Sequence, residues 1–303
     1  MTKVEALLPA WQSADFIQPT LDSLSAQTHG DFSVRVSVDL CDDETFAICE
    51  RHARTDPRFA VVRQEQRLGY VGNCNFLLAQ SNAEHVLFAF HDDILAPTFV
   101  EKLSSALDRH PEAVLSFADL EVTQVNGERE HCVFTALEGL TSRVERGYRM
   151  LMGHGQWWVP NRGVFRLAPA RAIGGLKLHG AGEFSADLPW LFRLSLLGEF
   201  VRVPETLCFK YYKPNSLSRS WAFSPQQSFE LVAALLRELW SSELTTSEKL
   251  ALAVPQTNRL IALSREVEGR TGPASFAPWL GRKMTGPWLR RLRTGPAARR
   301  PHE

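Results

Sequence analysis

The chain has 303 residues, and its 34 lysine and arginine side chains balance 34 aspartate and glutamate side chains. A hydrophobic fraction of 44% and a charged fraction of 22% are typical of a globular protein, which excludes disordered, collagen-like and small disulfide-rich proteins. The zero net charge argues against a protein that coats nucleic acid through global positive charge, so no nucleic-acid partner is predicted.

No apolar run reaches the ~20 residues that a membrane-spanning helix needs, and the opening segment is too short for a signal peptide. The sequence therefore predicts a cytoplasmic protein, with peripheral contact to the inner face of the membrane left open. The cysteines are scattered and form no CxxC pair, which favours reduced, mostly buried thiols over a zinc site or disulfides. They are Cys41, Cys49, Cys74, Cys132 and Cys208.

The first half of the chain alternates predicted strands and helices. Strands are predicted at 4–8 (ended by Pro9), 32–38, 59–63, 86–90 and 113–117, and helices at 13–26, 44–54, 69–81 and 97–109. Short connections between alternating elements predict an α/β fold, with a mostly parallel central sheet covered by helices on both faces.

The second half is less regular. Strands are predicted at 163–167, 201–203 and 206–212, and helices at 170–173, 185–197, 225–240 and 243–267. The last two helices predict a C-terminal helical extension. Residues 279–303 form a distinct tail with seven lysine or arginine residues, one acidic residue and interleaved aromatic and aliphatic side chains.

Polar or aromatic loops follow three of the predicted strands, after Leu8, Val38 and Phe90. Ligands of parallel sheets bind at the carboxyl ends of the strands, so these loops predict a site. Asp92 and Asp93 are adjacent carboxylates, which repel each other unless a cation neutralises them. Because Mg²⁺ takes one or two carboxylates plus phosphate oxygens, the pair predicts a metal–diphosphate site, and the alternative is an ordinary capped turn.

Two other candidate positions have an equally plain alternative. Trp11 and Asp39 at neighbouring strand ends could stack on a base and accept its N–H, or they could be a core tryptophan and a turn aspartate. Asp187 at a predicted helix start could be a general base, or an acid favoured there by the helix dipole. Spacing alone does not choose between these roles.

The order of these segments resembles glycosyltransferase family 2, the inverting nucleotide-sugar transferases with a GT-A fold, and indicates a divergent bacterial-type member. The similarity runs through residues 4–218. It rests on LPAW (8–11), VSVDLCDDET (36–45), GYVGNCN (69–75), FAFHDDILAP (88–97), GVFR (163–166), IGG (173–175), Asp187 with Arg193 and Gly198, and YYKPNSLS (211–218).

The resemblance implies a GT-A catalytic domain at 1–218, with a nucleotide-binding half at 1–100 and an acceptor half at 101–218. A helical extension at 219–278 and the basic tail at 279–303 follow it. The implied activity is transfer of a sugar from a nucleotide-sugar, with UDP expected, to a hydroxyl of a saccharide or lipid-linked saccharide during cell-surface polysaccharide or lipopolysaccharide synthesis. The tail suggests contact with an anionic membrane, and a solvated tail is the alternative.

The resemblance also assigns roles to individual residues. Asp187 becomes the general base, and Asp93 the preferred direct ligand of Mg²⁺ or Mn²⁺, with His91 as a second candidate. The nucleotide-binding residues are Pro9, Ala10, Trp11, Asp39, Arg67, Gly69 and Asp92. The residues expected at the acceptor or the diphosphate are Trp157, Trp158, Arg166 and Lys213.

The sequence departs from the family pattern at several positions. His91 stands in place of the first acid of the metal motif, and Ala186 replaces the glutamate before the base. Leu40 and Cys41 stand where Asp and Gly are usual, and Lys213 where His is common. A nucleotidyltransferase and a non-catalytic nucleotide-sugar-binding protein therefore remain alternatives. A dehydrogenase is disfavoured because no GxGxxG follows the first strand.

Overall fold

The computed structural model describes residues 2–153, 155–213 and 221–268, and within them it contains nine strands and nine α-helices. The strands are β1 (Val4–Ala10), β2 (Phe32–Val38), β3 (Phe59–Arg63), β4 (His85–Phe88), β5 (Asp93–Leu95), β6 (Ala113–Thr123), β7 (Arg129–Cys132), β8 (Val164–Arg166) and β9 (Glu199–Tyr211). The helices are α1 (Ile17–Ser25), α2 (Thr45–Ala53), α3 (Gly69–Gln80), α4 (Phe99–Arg109), α5 (Arg143–Leu151), α6 (Leu167–Ala172), α7 (Asp187–Leu197), α8 (Pro225–Ser241) and α9 (Thr246–Glu268). A 3-10 helix covers Val159–Arg162.

All of these strands join one sheet in the order β3-β2-β1-β4-β8-β6-β9-β5, with β7 paired to β6. The first four strands in this order pair in parallel, and β6 pairs in parallel with β9. The pairs of β8 with β4 and β6, of β5 with β9 and of β7 with β6 are antiparallel. The predicted α/β class is confirmed, and the parallel pairing predominates among the strands of the first hundred residues.

Pro9 does not end the first strand, contrary to the sequence prediction, because β1 continues to Ala10. Leu7 accepts a hydrogen bond from the backbone N–H of Ala89, on the side of β1 that faces β4. Pro9, two residues further along, faces the same side, where β4 has already ended at Phe88. The missing N–H of Pro9 therefore costs no hydrogen bond between the strands. β1 extends two residues beyond its predicted end at Leu8.

The strand predicted at 86–90 corresponds to β4, and a further strand that was not predicted follows it. β4 ends at Phe88, and a short β5 begins at Asp93 and pairs with β9, with Asp93 directly opposite Lys210. A strand of three residues is too short to show the alternating pattern from which strands are predicted. β5 forms through its pairing with β9, which lies far away in the sequence. The strand β7 and the helix α5 also escaped the sequence analysis.

The two predicted C-terminal helices are confirmed as α8 and α9, and they lie against α7 and α5. The Arg193 guanidinium on α7 donates to the backbone carbonyl of Glu238 on α8, at 3.1 Å. Gln256 on α9 donates to the carbonyl of Leu151 at the end of α5, at 2.7 Å. The helical extension thus holds the helix that begins at Asp187.

Two further predictions concern thiols and membranes. All five cysteines are free thiols, four of them buried and Cys41 half-buried, as predicted. Among the described residues, no helix combines the length and the apolar character needed to cross a membrane. The basic tail at 279–303 lies outside the described residues.

Candidate functional site

The carboxylate of Asp39 is held at the amino-terminal end of α3. One of its oxygens accepts from the backbone N–H groups of Leu68 and Leu40 at 2.7 and 3.1 Å, and the other accepts from Gly69 at 2.8 Å. Asp39 is only 2% exposed, and a helix amino terminus stabilises such a buried anion. Gly69 has φ +73, and a Cβ there would lie 2.6 Å from the carboxylate oxygen Oε1 of Glu183, so this turn requires glycine.

Trp11 and Arg67 lie beside Asp39, as the sequence analysis expected of nucleotide-binding residues. The Arg67 guanidinium carbon is 3.4 Å from the centre of the Trp11 ring, and Nε of Arg67 is 3.1 Å from Oδ2 of Asp39. Pro9 and Ala10 are buried in the strand that leads to Trp11. The ring face that a base would use is therefore covered by an arginine whose side chain is 44% exposed.

Two carboxylates and two cations form a buried quartet, defined here as Asp92, Asp93, Arg162 and Lys210. The Lys210 ammonium donates to Asp92 Oδ2 at 2.9 Å and to Asp93 Oδ1 at 3.4 Å. The Arg162 Nε donates to Asp93 Oδ2 at 3.0 Å. The four side chains are between 3% and 13% exposed, so solvent screens these contacts little.

Asp92, Arg162 and Lys210 are each stabilised in the charged form. Burial alone would raise the pKa of Asp92, but Lys210 holds it below its usual value. Burial alone would lower the pKa of Lys210 and of Arg162, but the two aspartates raise both. The quartet therefore pairs two carboxylates with two cations.

His91 connects the two loops that follow β1 and β4. Its Nδ1 accepts from the backbone N–H of Trp11 at 3.4 Å, and its ring meets Phe16 edge-on at 5.3 Å. Burial lowers the pKa of His91, so the neutral imidazole, which can accept this hydrogen bond, is favoured.

The predicted Mg²⁺ or Mn²⁺ site at Asp93 and His91 does not fit these contacts. Both oxygens of Asp93 already accept from cations, and one ring nitrogen of His91 is taken by Trp11. Within residues 2–153, 155–213 and 221–268, no three His, Cys, Asp or Glu side chains come together as a metal-binding group. A divalent ion at Asp93 would have to displace the ammonium and guanidinium groups that neutralise it.

Asp187 is the first residue of α7, where its carboxylate accepts from the Asn161 amide at 3.0 Å. Burial raises the pKa of Asp187, while Arg162 and the Asn161 hydrogen bond act in the opposite direction. Ser185, two residues earlier, has φ 46, an uncommon conformation for a residue with a side chain. A half-buried carboxylate with a raised pKa suits a proton acceptor.

The 3-10 helix contacts both Asp187 and the quartet, because its Asn161 donates to Asp187 and its Arg162 donates to Asp93. Tyr70 on α3 lies beside Asn161, and burial followed by the charge of Asp187 raises its pKa far above the usual range. Four of these site residues were not predicted from the sequence: Tyr70, Asn161, Arg162 and Lys210. A signal was available for Lys210, because a lysine at a buried position of a predicted strand is unusual unless it is paired.

The remaining predicted residues divide between the site and elsewhere. Trp158 lies 5.4 Å from the Arg162 guanidinium and Lys213 lies 5.5 Å from the Phe16 ring, so both border the site. Trp157 packs near Gly153, 3.6 Å from where a Cβ would lie.

Arg166 does not border the site, contrary to the prediction. Its guanidinium donates to the carbonyls of Ala113 and Leu107, both at 2.9 Å, and it lies opposite His85 at the start of β4. The site follows the other end of that strand, so Arg166 holds the sheet to α4 instead.

Comparison with known proteins bears on the family and the fold of the chain. A model described as Glycosyl transferase family 2 matches residues 6–166, just over half of the chain. The chain is 27% identical over 150 residues to the putative glycosyltransferase EpsH of Bacillus subtilis (strain 168), which covers 45% of this chain. The chain spans 37% and 43% of the length of two curated relatives that it matches.

Two solved structures share the fold. TarS 1-349 of S. aureus in complex with UDP-GlcNAc has a TM-score of 0.67 at 20% identity, covering 87% of this chain and 74% of that one. The mannosyltransferase PcManGT from Pyrobaculum calidifontis, in complex with GDP-Man and Mn²⁺, has a TM-score of 0.57 at 14% identity, covering 96% and 83%. These two likenesses concern the fold, and the family match over residues 6–166, more than half of the chain, shows that the chain belongs to glycosyltransferase family 2.

Proposed function

We propose that this chain transfers a sugar from a nucleotide-sugar to a hydroxyl group of an acceptor, with inversion at the anomeric carbon, in the synthesis of a cell-surface glycan. The observation that carries the proposal is Asp187, a carboxylate fixed at the start of α7 with its pKa raised by burial. It lies beside the 3-10 helix whose Arg162 also pairs with Asp93 at the start of β5. Family membership supports the reaction class.

Asp187 acts as the general base in this proposal. It takes the proton of the acceptor hydroxyl as the acceptor oxygen forms a bond to the anomeric carbon. The bond between that carbon and the diphosphate oxygen breaks at the same time, and the nucleoside diphosphate leaves with the electron pair. Asn161 orients the carboxylate and keeps it ionised, since it donates to Oδ2. No step of this scheme passes through a metal ion, because the residues present do not fit one.

The nucleotide base is proposed to bind at Trp11 and Asp39, with uracil expected. The UDP-GlcNAc bound to TarS in its solved structure supports a UDP-sugar donor. Arg67 covers the Trp11 ring and shares Asp39, so the base must displace its guanidinium or stack on it. The 44% exposure of the Arg67 side chain leaves room for that movement.

The acceptor is proposed to be a saccharide or a lipid-linked saccharide that binds near Trp158 and Trp157. Flat aromatic rings suit the C–H faces of sugars. The proposed contact of the tail at 279–303 with an anionic membrane, on the inner face of the cytoplasmic membrane, rests on its composition. Unchanged binding of the chain to anionic liposomes after truncation at residue 278 would contradict that contact.

A donor screen tests the proposed reaction. The purified chain is incubated with UDP-, GDP- and dTDP-sugars and with candidate saccharide acceptors, and the released nucleotide is measured. We expect release of a nucleoside diphosphate, with UDP-sugars preferred. Release of pyrophosphate from a sugar phosphate and a nucleoside triphosphate would indicate the nucleotidyltransferase alternative. Tight UDP binding without turnover on any acceptor would indicate the non-catalytic alternative.

A further inference from the structure

The two cations of the quartet supply the same positive charge to its two carboxylates as one divalent metal ion would. In a two-carboxylate site, one divalent cation supplies two positive charges. In this chain Lys210 and Arg162 supply two positive charges to the same two carboxylates, at 2.9 to 3.4 Å. Two carboxylates left without a cation would repel each other, and here they are already neutralised.

Lys210 is built into the sheet and is not a mobile surface group. Lys210 lies in β9 directly opposite Asp93 in β5, so the strand pairing itself sets their separation. The Lys210 side chain is 7% exposed, and its ammonium lies 5.2 Å from the Tyr212 ring. A lysine buried in this way must be paired. An incoming metal ion that took its carboxylate partners would leave the ammonium buried and unpaired, which is costly in free energy.

Arg162 is fixed as firmly from the other side of the site. Its guanidinium lies 4.8 Å from the Phe90 ring and 5.4 Å from the Trp158 ring. Such stacking between aromatic rings stabilises a planar, permanently charged group and holds its orientation. Both positive charges are therefore present, and held in place, before any ligand binds.

We propose that Lys210 and Arg162 take the place of a divalent cation, so that this chain binds its nucleotide-sugar and transfers the sugar without a metal ion. The inference rests on the proposed function for its substrate. The negative charge that develops on the departing diphosphate is met by these fixed cations at the end of β4. Such pre-oriented charges need no rearrangement when the leaving group departs. The Mn²⁺ in the complex of the mannosyltransferase from Pyrobaculum calidifontis belongs to that protein.

The test uses the full chain, first treated with EDTA and then dialysed. Binding of Mn²⁺ is followed by electron paramagnetic resonance, with the metal alone and with UDP, and UDP binding is followed by calorimetry with EDTA or with Mn²⁺. We expect no stoichiometric Mn²⁺ binding in either case and a Kd for UDP that changes less than about twofold between the two conditions. One bound Mn²⁺ per chain, or UDP binding at least about tenfold weaker in EDTA, would overturn the proposal.

A variant makes the test specific to the lysine. In Lys210→Met, two carboxylates face one guanidinium, so we expect UDP binding in EDTA to weaken at least about tenfold and Mn²⁺ to restore part of it. Lys102→Met, which removes a lysine paired with Glu205 at the surface, is the matched control and should change neither. Lys210→Arg keeps the charge and should keep metal-free binding. A Lys210→Met variant that binds UDP like the unaltered chain in EDTA would remove Lys210 from the account.

Failure of the proposed function gives a different pattern. A chain that binds no UDP, GDP or dTDP in any condition would contradict nucleotide-sugar transfer. The resonance measurement with Mn²⁺ alone would still decide whether the quartet excludes a metal ion, because that measurement needs no nucleotide.

Discussion

Asp187 is subject to opposing influences, and their balance sets its chemistry. Burial raises its pKa, whereas Arg162, the backbone N–H groups at the start of α7 and the Asn161 amide all lower it. The net effect is a raised pKa, so a carboxylate at this position accepts a proton more readily than an exposed one. The same shift means that ionised Asp187 costs the folded state some stability. That cost is absent at acid pH and appears as the pH rises through the raised pKa.

Asn161 should tune this balance, which makes Asn161→Ala informative. The amide stabilises the ionised carboxylate, so its removal raises the pKa of Asp187 further. We expect the acidic limb of the kcat/KM profile to move to higher pH, with a loss of less than about tenfold on the plateau. The exposed Asn126→Ala is the matched control. A profile that falls uniformly, without moving along the pH axis, would limit Asn161 to a structural role.

Trp11 should contribute to nucleotide binding through its ring. Stacking of a base on an aromatic side chain contributes about 1–3 kcal/mol, so Trp11→Ala should weaken UDP binding by about 5- to 150-fold. Trp11→Phe keeps a smaller stacking surface and should recover part of the affinity. Calorimetric titration with UDP measures both variants. Equal affinity in Trp11→Ala and the unaltered chain would place the base elsewhere.

At the scale of elements, the 3-10 helix links Asp187 to the quartet. It carries Asn161 toward Asp187 and Arg162 toward Asp93, and it ends at Gly163. A Cβ on Gly163 would lie 2.4 Å from the backbone carbonyl oxygen of Ser116. Glycine is required here by close approach to β6, which keeps both side chains at their positions.

Gly163→Ala should therefore disturb stability and activity together. The backbone atom it meets cannot move aside as a flexible side chain would, so we expect the free energy of unfolding to fall by about 1–3 kcal/mol. The shift of Asn161 and Arg162 should also lower kcat. Gly127→Asn is a suitable control, because nothing lies within 4 Å of a Cβ there and Asn tolerates the positive φ of 85. Denaturant unfolding and initial rates measure the two effects, and an unchanged variant would contradict the close approach.

The sequence predicted the strand ends but not the partners that meet them. Asp39 was found because it follows an alternating strand pattern, and Asp92 because it follows a short apolar run. Lys210 lies 117 residues from Asp93 along the chain, and only the antiparallel pairing of β5 with β9 brings them together. The expectation of a metal at Asp93 failed to fit for the same reason, since the neutralising cations were not visible locally. Arg166 was misplaced because its motif carried no information about which end of β8 it occupies.

At the scale of the whole molecule, the helical extension is part of the core that supports the site. Leu235 on α8 is fully buried, and Glu238 pairs with Arg193 on α7 at 3.5 Å. Through α7 these contacts reach Asp187. The boundary predicted at residue 218 lies outside the described residues, and α8, which follows it in the chain, packs against α7, which precedes it.

A leucine pair in the extension tests this continuity. Leu235→Ala should lower the free energy of unfolding by about 2–5 kcal/mol, because it opens a cavity beneath α8. Leu250→Ala on α9 is the control, since Leu250 is 52% exposed and its loss should have little effect. Thermal unfolding should show a single transition in both variants. A second, separate transition for the extension in Leu235→Ala would contradict a shared core.

The most direct test of the account is a comparison of Asp187→Asn with the unaltered chain, using the donor and acceptor that the screen identifies. A general base contributes about 10²- to 10⁴-fold, so the transfer rate should fall by that factor. UDP affinity should remain, and the free energy of unfolding should not decrease, because a buried charge is lost. The exposed Asp31→Asn serves as the control and should transfer normally. Transfer by Asp187→Asn at nearly the unaltered rate would contradict the central claim that this carboxylate takes the acceptor's proton.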